Sequence, residues 1–124
     1  MSFECPSCKR DTLEILAALE LPADASSDEI ALQLIACAQC GFQGAAAYAE
    51  SRRGALDGDS WHHDGYAIDA ADYAALAQAI QHCPEPANPR CACPVHQTYG
   101  KTDPRGNWEG LKDMHIMRSF AMQR

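Results

Sequence analysis

Apolar and polar residues alternate along much of the first fifty positions. Leu13, Ile15, Ala17, Leu19 and Leu21 are interleaved with Glu14, Ala18 and Glu20, a period of two that predicts a half-buried strand stopped by Pro22. Ile30, Leu32, Leu34 and Ala36 alternate again and lead straight into Cys37. Ser26-Ser27-Asp28-Glu29 carries a capping-box pattern, yet the alternation that follows favours a loop and then a strand. A third strand is expected over Phe42 to Glu50, with Tyr48 its largest side chain. Residues 54–66 read as a linker, rich in glycine and charge. The period then changes to that of a helix. Asp69 suits the N-cap and Asp72 the first turn, and Tyr73, Leu76, Ala77 and Ile80 form one apolar stripe. Cys83-Pro84 ends it. A stiff loop holding Pro84, Pro86, Pro89 and Pro94 follows. A last helix is expected from Asp103-Pro104 or Asn107 through Leu111, Met114, Met117 and Phe120, weakened by Gly110.

Cysteine spacing adds chemistry to this outline. Cys5-Pro6-Ser7-Cys8 and Cys37-Ala38-Gln39-Cys40 are two C-x-x-C pairs, each able to turn on a tight knuckle and offer two thiolates to one edge of a tetrahedron. Together they form a closed four-sulfur site for zinc, with iron second in order. Such a site has no open coordination position, which makes it structural rather than catalytic. A crosslink of this kind suits the composition. Of the 124 residues 47% count as hydrophobic, but many are alanine and only 7% are aromatic, so the apolar core is thin.

Residues 3–50, three strands with two knuckles, resemble the zinc-ribbon fold group. Cys37-Ala38-Gln39-Cys40-Gly41-Phe42 matches its second knuckle closely, with a glycine after the last ligand. The first knuckle departs from the pattern by placing Lys9 where glycine is common, and 28 residues separate Cys8 from Cys37, which implies a long hairpin. The resemblance implies a fold and no activity. Rubredoxins pair similar knuckles around iron but pack aromatics beside the metal, and the interval from Lys9 to Ala36 has none.

A second constellation stands in the proline-rich loop. Cys91, Cys93 and His96 fall in a C-x-C-x-x-H arrangement, and Cys83 at the helix end can complete a Cys₃His set for a second zinc. His82 competes as the nitrogen ligand, although a helical neighbour of Cys83 points about 100° away. In the plainer reading, Cys83 continues the apolar stripe and Cys91 and Cys93 are spare thiols. Cys91-Ala92-Cys93 also resembles the C-x-C of redox-controlled chaperones, which lose zinc on oxidation.

Other features narrow the function. Trp61-His62-His63-Asp64 resembles a fragment of a metal-hydrolase site, but no second acid–base cluster, activated nucleophile or phosphate loop accompanies it. A linker with Trp61 packed on the ribbon is the expectation, and no catalytic residue is assigned. The net charge is −7, and two filled thiolate sites would bring it to about −10. That balance argues against nucleic acid as a partner, despite a basic excess after residue 97. No run is apolar enough to span a bilayer, the first residues lack the marks of a signal peptide, and a cytoplasmic setting is expected.

The sequence thus predicts a small α+β protein: a zinc ribbon over residues 1–53, a linker over 54–66, a helix plus second Cys/His metal loop over 67–97, and a helical tail over 98–124. The expected role is a non-catalytic adaptor or accessory protein that contacts another protein, with the methionine-bearing tail helix as its docking element. A thiol/zinc redox switch is the first alternative and a nucleic-acid-associated accessory protein the second.

Overall fold

The computed structural model describes residues 2–51 and 60–124. Its chain runs β1 (Leu13–Leu21), β2 (Glu29–Cys37), β3 (Gln43–Ser51), β4 (Ser60–Ile68), α1 (Ala70–His82), α2 (Pro94–Tyr99) and β5 (Ile116–Ala121). The strands form one antiparallel sheet in sequence order, β1-β2-β3-β4-β5, with the helices inserted between β4 and β5. This is a small α+β fold whose sheet extends two strands beyond a three-stranded ribbon.

A single extra residue divides the core. β1 and β2 pair Ile15 with Ile35 and then Ala17 with Leu34, so Leu16 is a bulge. Because side chains alternate with period two, one inserted residue turns the rest of β1 over. Leu13 and Ile15 therefore join Ile35, Cys37, Ala46, Phe3, Phe120 and Met122 in one cluster. Ala17, Leu19 and Leu21 lie on the opposite face with Ile30, Leu32, Leu34, Ala45 and Ile68, where Leu76 and Ile80 of α1 cover them. Leu16 itself is 58% exposed. β2 is an inner strand with apolar residues on both faces, which is why it is the most buried strand.

Local chemistry sets the element ends. Asp69 caps α1 by accepting from the backbone N–H groups of Ala71 (2.8 Å) and Asp72 (3.1 Å). Asp24 accepts from Ser26 and Ser27 at 2.8 and 2.6 Å, fixing a turn rather than a helical start before β2. At one end the sheet edges are bridged. Phe3 pairs with Leu13 of β1, Glu4 donates to the Gln123 carbonyl at 2.6 Å, and Met122 donates to the His63 carbonyl at 2.9 Å. Among the described residues, no helix is long and apolar enough to cross a membrane.

Two expectations need correction. The stretch expected as a linker contains β4: residues 60–66 are strand, and 54–59 lie outside the described residues. Polar side chains are tolerated there because β4 pairs with β3 along its length and with β5 from Asp64 onward, while its first residues are open to solvent. The expected tail helix is absent. Asp103 accepts from Arg105 and Asn107 at 2.8 and 3.0 Å and Gly106 takes φ 84°, forming a turn, while residues 116–121 form β5. Leu111 and Met114 pack on the helix-side core, Phe120 on the other, and Met117 is 60% exposed, so the four make no common stripe. The Phe120 ring lies over Gly65, its cross-strand partner, and a Cβ there would collide with it. That contact needs a strand pairing which helical spacing does not reveal.

Candidate metal centres

The first cluster is built from two knuckles with matching backbone bonds. Lys9 donates to the Cys5 carbonyl and Gly41 to the Cys37 carbonyl, both at 3.0 Å. Cys5 donates to Arg10 and Cys37 to Phe42, both at 2.8 Å. Each knuckle turns through a left-handed residue, Lys9 at φ 64° and Gly41 at φ 80°. Lysine thus adopts the conformation that glycine adopts in the second knuckle, at a cost of about 1 kcal/mol. Cys37 also ends β2 opposite Leu13, so the sheet register brings the two knuckles together.

The four sulfurs converge. Cys5 and Cys40 Sγ are 3.5 Å apart, Cys8 and Cys37 Sγ 3.8 Å, and all four lie within 4.8 Å of one another. A zinc–sulfur bond of about 2.3 Å gives a tetrahedron with edges of about 3.8 Å, so the donor set fits zinc. Cys5 is fully buried and Cys40 exposed, which places the site at the surface of the second core. Thr12, which no spacing rule singles out, places Oγ1 3.0 Å from Cys37 Sγ and 3.8 Å from Cys8 Sγ. A hydroxyl there can donate to a metal-bound thiolate and fix its orientation. Thr12→Val is expected to weaken zinc binding at this cluster about tenfold, read by competition with a chromogenic chelator, while leaving the second cluster unchanged.

The second cluster ties the helical layer to the sheet. Cys83 is the C-cap of α1, and Cys93 is the N-cap of α2, its sulfur accepting from the His96 N–H at 3.5 Å. Cys83 Sγ lies 3.5 Å from Cys93 and 3.9 Å from Cys91. His96 Nδ1 is 3.3 Å from Cys83 Sγ and 3.4 Å from Cys93 Sγ, close to the roughly 3.6 Å edge of a zinc site with one nitrogen. The other ring nitrogen, Nε2, meets the Glu20 backbone carbonyl on β1 at 2.9 Å. That bond requires a proton on Nε2 and so leaves the Nδ1 lone pair facing the three sulfurs, the arrangement a metal-binding histidine needs. His82 is turned away: its Nδ1 meets the Gln78 carbonyl at 2.8 Å.

Electrostatics within each cluster call for a cation. The Thr12 hydroxyl outweighs burial at Cys37 and, with backbone N–H groups, brings that thiol down to about 6. At Cys40 the Phe42 N–H lowers the pKa, but desolvation and the thiols of Cys5, Cys37 and Cys8 prevail and push it up to about 11. Burial raises Cys83 to about 11. Burial opposes ionisation at Cys93 too, but the backbone and ring of His96 and the Cys83 and Cys91 thiols outweigh it and bring Cys93 down to about 6. One thiolate is thus favoured in each group while a neighbour holds its proton. All can ionise together only against a metal. Because the metal-bound form carries fewer protons than the free form, zinc retention is expected to fall with pH. Once Cys37 and Cys93 also protonate, near pH 6 and below, release to a chelator at pH 5 should far outpace that at pH 7.5.

The other candidate chemistry disperses. Trp61 and His63 project to one face of β4 and His62 and Asp64 to the other, so the four-residue motif does not converge on one point. His63 meets Gln33 Oε1 at 2.6 Å. Among the described residues the two Cys/His clusters are the groups of four whose ligand atoms converge. Both can hold metal ions, and their donor sets are compatible with zinc sites of the ribbon type. No family model, curated protein or solved structure matches the chain, so these centres stand on their own geometry.

Proposed function

We propose that the protein is a non-catalytic, two-zinc cytoplasmic adaptor or accessory protein whose metal centres shape a surface that contacts another protein. Zinc at Cys5, Cys8, Cys37 and Cys40 would lock the two knuckles at one end of β1. Zinc at Cys83, Cys91, Cys93 and His96 would fasten α1, the proline loop and α2 near its other end. The carrying observation is that each cluster already supplies four converging protein donors. Four protein donors leave a zinc no position for water or substrate, which supports a structural role over a hydrolytic one. All seven cysteines are free thiols, which suits a reducing compartment.

The half-exposure of Cys91 and Cys93, with Cys93 Sγ only 3.5 Å from Cys83 Sγ, favours a thiol redox switch as the second reading. X-ray absorption at the zinc edge separates these ideas from a catalytic one. A Cys₄ site and a Cys₃His site average to about 3.5 sulfurs and 0.5 nitrogen per zinc. A spectrum with an oxygen ligand from water would contradict the closed-site reading. Zinc loss under mild peroxide, restored by thiol reductant, would favour the switch.

A further inference from the structure

The two centres share a pattern that coordination does not require. In each, a buried sulfur lies beside one that solvent reaches. Cys5 is fully buried, and its Sγ lies 3.5 Å from that of Cys40, which is exposed. Cys83 is buried as well, and its Sγ lies 3.5 Å from that of half-exposed Cys93. Both pairs cross between segments instead of staying inside a C-x-x-C or C-x-C motif. Cys5 belongs to the first knuckle and Cys40 to the second, 35 positions later. Cys83 caps the end of α1 and Cys93 the start of α2. The other cysteine of the second knuckle, Cys37, has its sulfur on Thr12 at 3.0 Å and Cys8 at 3.8 Å.

An open sulfur with a buried neighbour suits oxidation in two steps. A hydroperoxide reaches the open thiolate first, and the neighbour then resolves the product before it oxidises further. Closing each pair from 3.5 Å to a disulfide bond of about 2.05 Å asks for side-chain rotation within segments already held together.

We propose that hydroperoxides convert each centre from a zinc crosslink to a disulfide crosslink, Cys5 to Cys40 and Cys83 to Cys93, with the fold retained. The Cys40 or Cys93 thiolate attacks the peroxide: a sulfur–oxygen bond forms, the O–O bond breaks, and hydroxide or alkoxide leaves. The thiolate of Cys5 or Cys83 then attacks that sulfur, so the disulfide forms and a second hydroxide departs. Two sulfurs lose two electrons, the peroxide gains them, and zinc leaves unchanged as Zn²⁺. The inference rests on the two-zinc reading and gives the same residues a metal-free state. Each bridge joins the two segments that its zinc joins, so the link outlasts the metal. It differs in this from a switch that opens the fold on oxidation. The bridge from Cys5 to Cys40 closes the longer loop and should contribute more stability.

The test treats reduced full-length protein with about two equivalents of hydrogen peroxide per chain, enough for both bridges. Zinc is assayed before and after, and the bridges are mapped by peptide mass spectrometry once the remaining thiols are alkylated. Zinc should be released, Cys5 should be bridged to Cys40 and Cys83 to Cys93, and Cys8, Cys37 and Cys91 should carry the alkyl label. The bridged protein should melt about 5 °C or more above reduced protein stripped of zinc by a chelator. Bridges within a motif, from Cys5 to Cys8, Cys37 to Cys40 or Cys91 to Cys93, would overturn the proposal. So would stable sulfinic acid, or a bridged protein that melts no higher than the stripped one. The bridges are mapped whatever the starting zinc content, so a preparation without zinc would count against the metal reading alone.

Discussion

Cys40→Ser is expected to lose one zinc equivalent and to lower the melting temperature by about 10 °C or more. Cys40 is the ligand that best isolates the metal from packing. Its side chain is exposed, unlike that of Cys5, which is wholly buried, so serine leaves no cavity. What it removes is one corner of the tetrahedron and the reason for the two knuckles to meet. The damage should centre on Phe3–Thr12 and the β2–β3 turn, because the Phe3–Leu13 bridge and the Glu4–Gln123 bond both hang from the first knuckle. Calorimetry with metal analysis on the same sample checks this. A variant with its full metal content and an unchanged transition would remove the site from the account.

The second large effect is expected from Cys93→Ser. Serine retains a side-chain oxygen able to cap α2 but gives zinc a much poorer ligand, so the substitution separates capping from coordination. One zinc equivalent should be lost while the Cys₄ centre keeps its own. A six-residue helix has little stability of its own, and without metal the bond from His96 Nε2 to Glu20 is the main polar tie between α2 and β1. Amide exchange over residues 84–100 should therefore quicken about a hundredfold or more, while β2 and β3 remain protected. Uniform acceleration across the sheet would show that the second centre supports the whole fold rather than the helical layer. Unchanged exchange together with unchanged metal would show that Cys93 binds none.

The residues of the two converging Cys/His clusters were legible in the sequence because knuckle spacing and the C-x-C-x-x-H run are local. Strands β1 and β2 and helix α1 were legible for the same reason, through periods of two and of three to four residues. The bulge at Leu16 was not: the apolar run Ile15–Leu19 interrupts the alternation without revealing that the two halves of β1 serve opposite faces, since that depends on the register against β2. β4 was hidden by its polar composition and β5 by apolar residues at helical spacing, and both owe their strand form to distant partners. Thr12 became visible only when the fold brought it to Cys37. Lys9 left a local trace as the departure from glycine in the first knuckle, where φ is in fact positive.

The most direct test of the central claim is the ratio of zinc to protein in full-length material purified under reducing conditions without added metal. The account predicts about two zinc ions per chain, falling to about one in Cys40→Ser and in Cys93→Ser and to none when both are combined. One zinc per chain, with Cys83, Cys91 and Cys93 all open to alkylation, would contradict the second centre; no zinc, or iron in its place, would contradict the account as a whole.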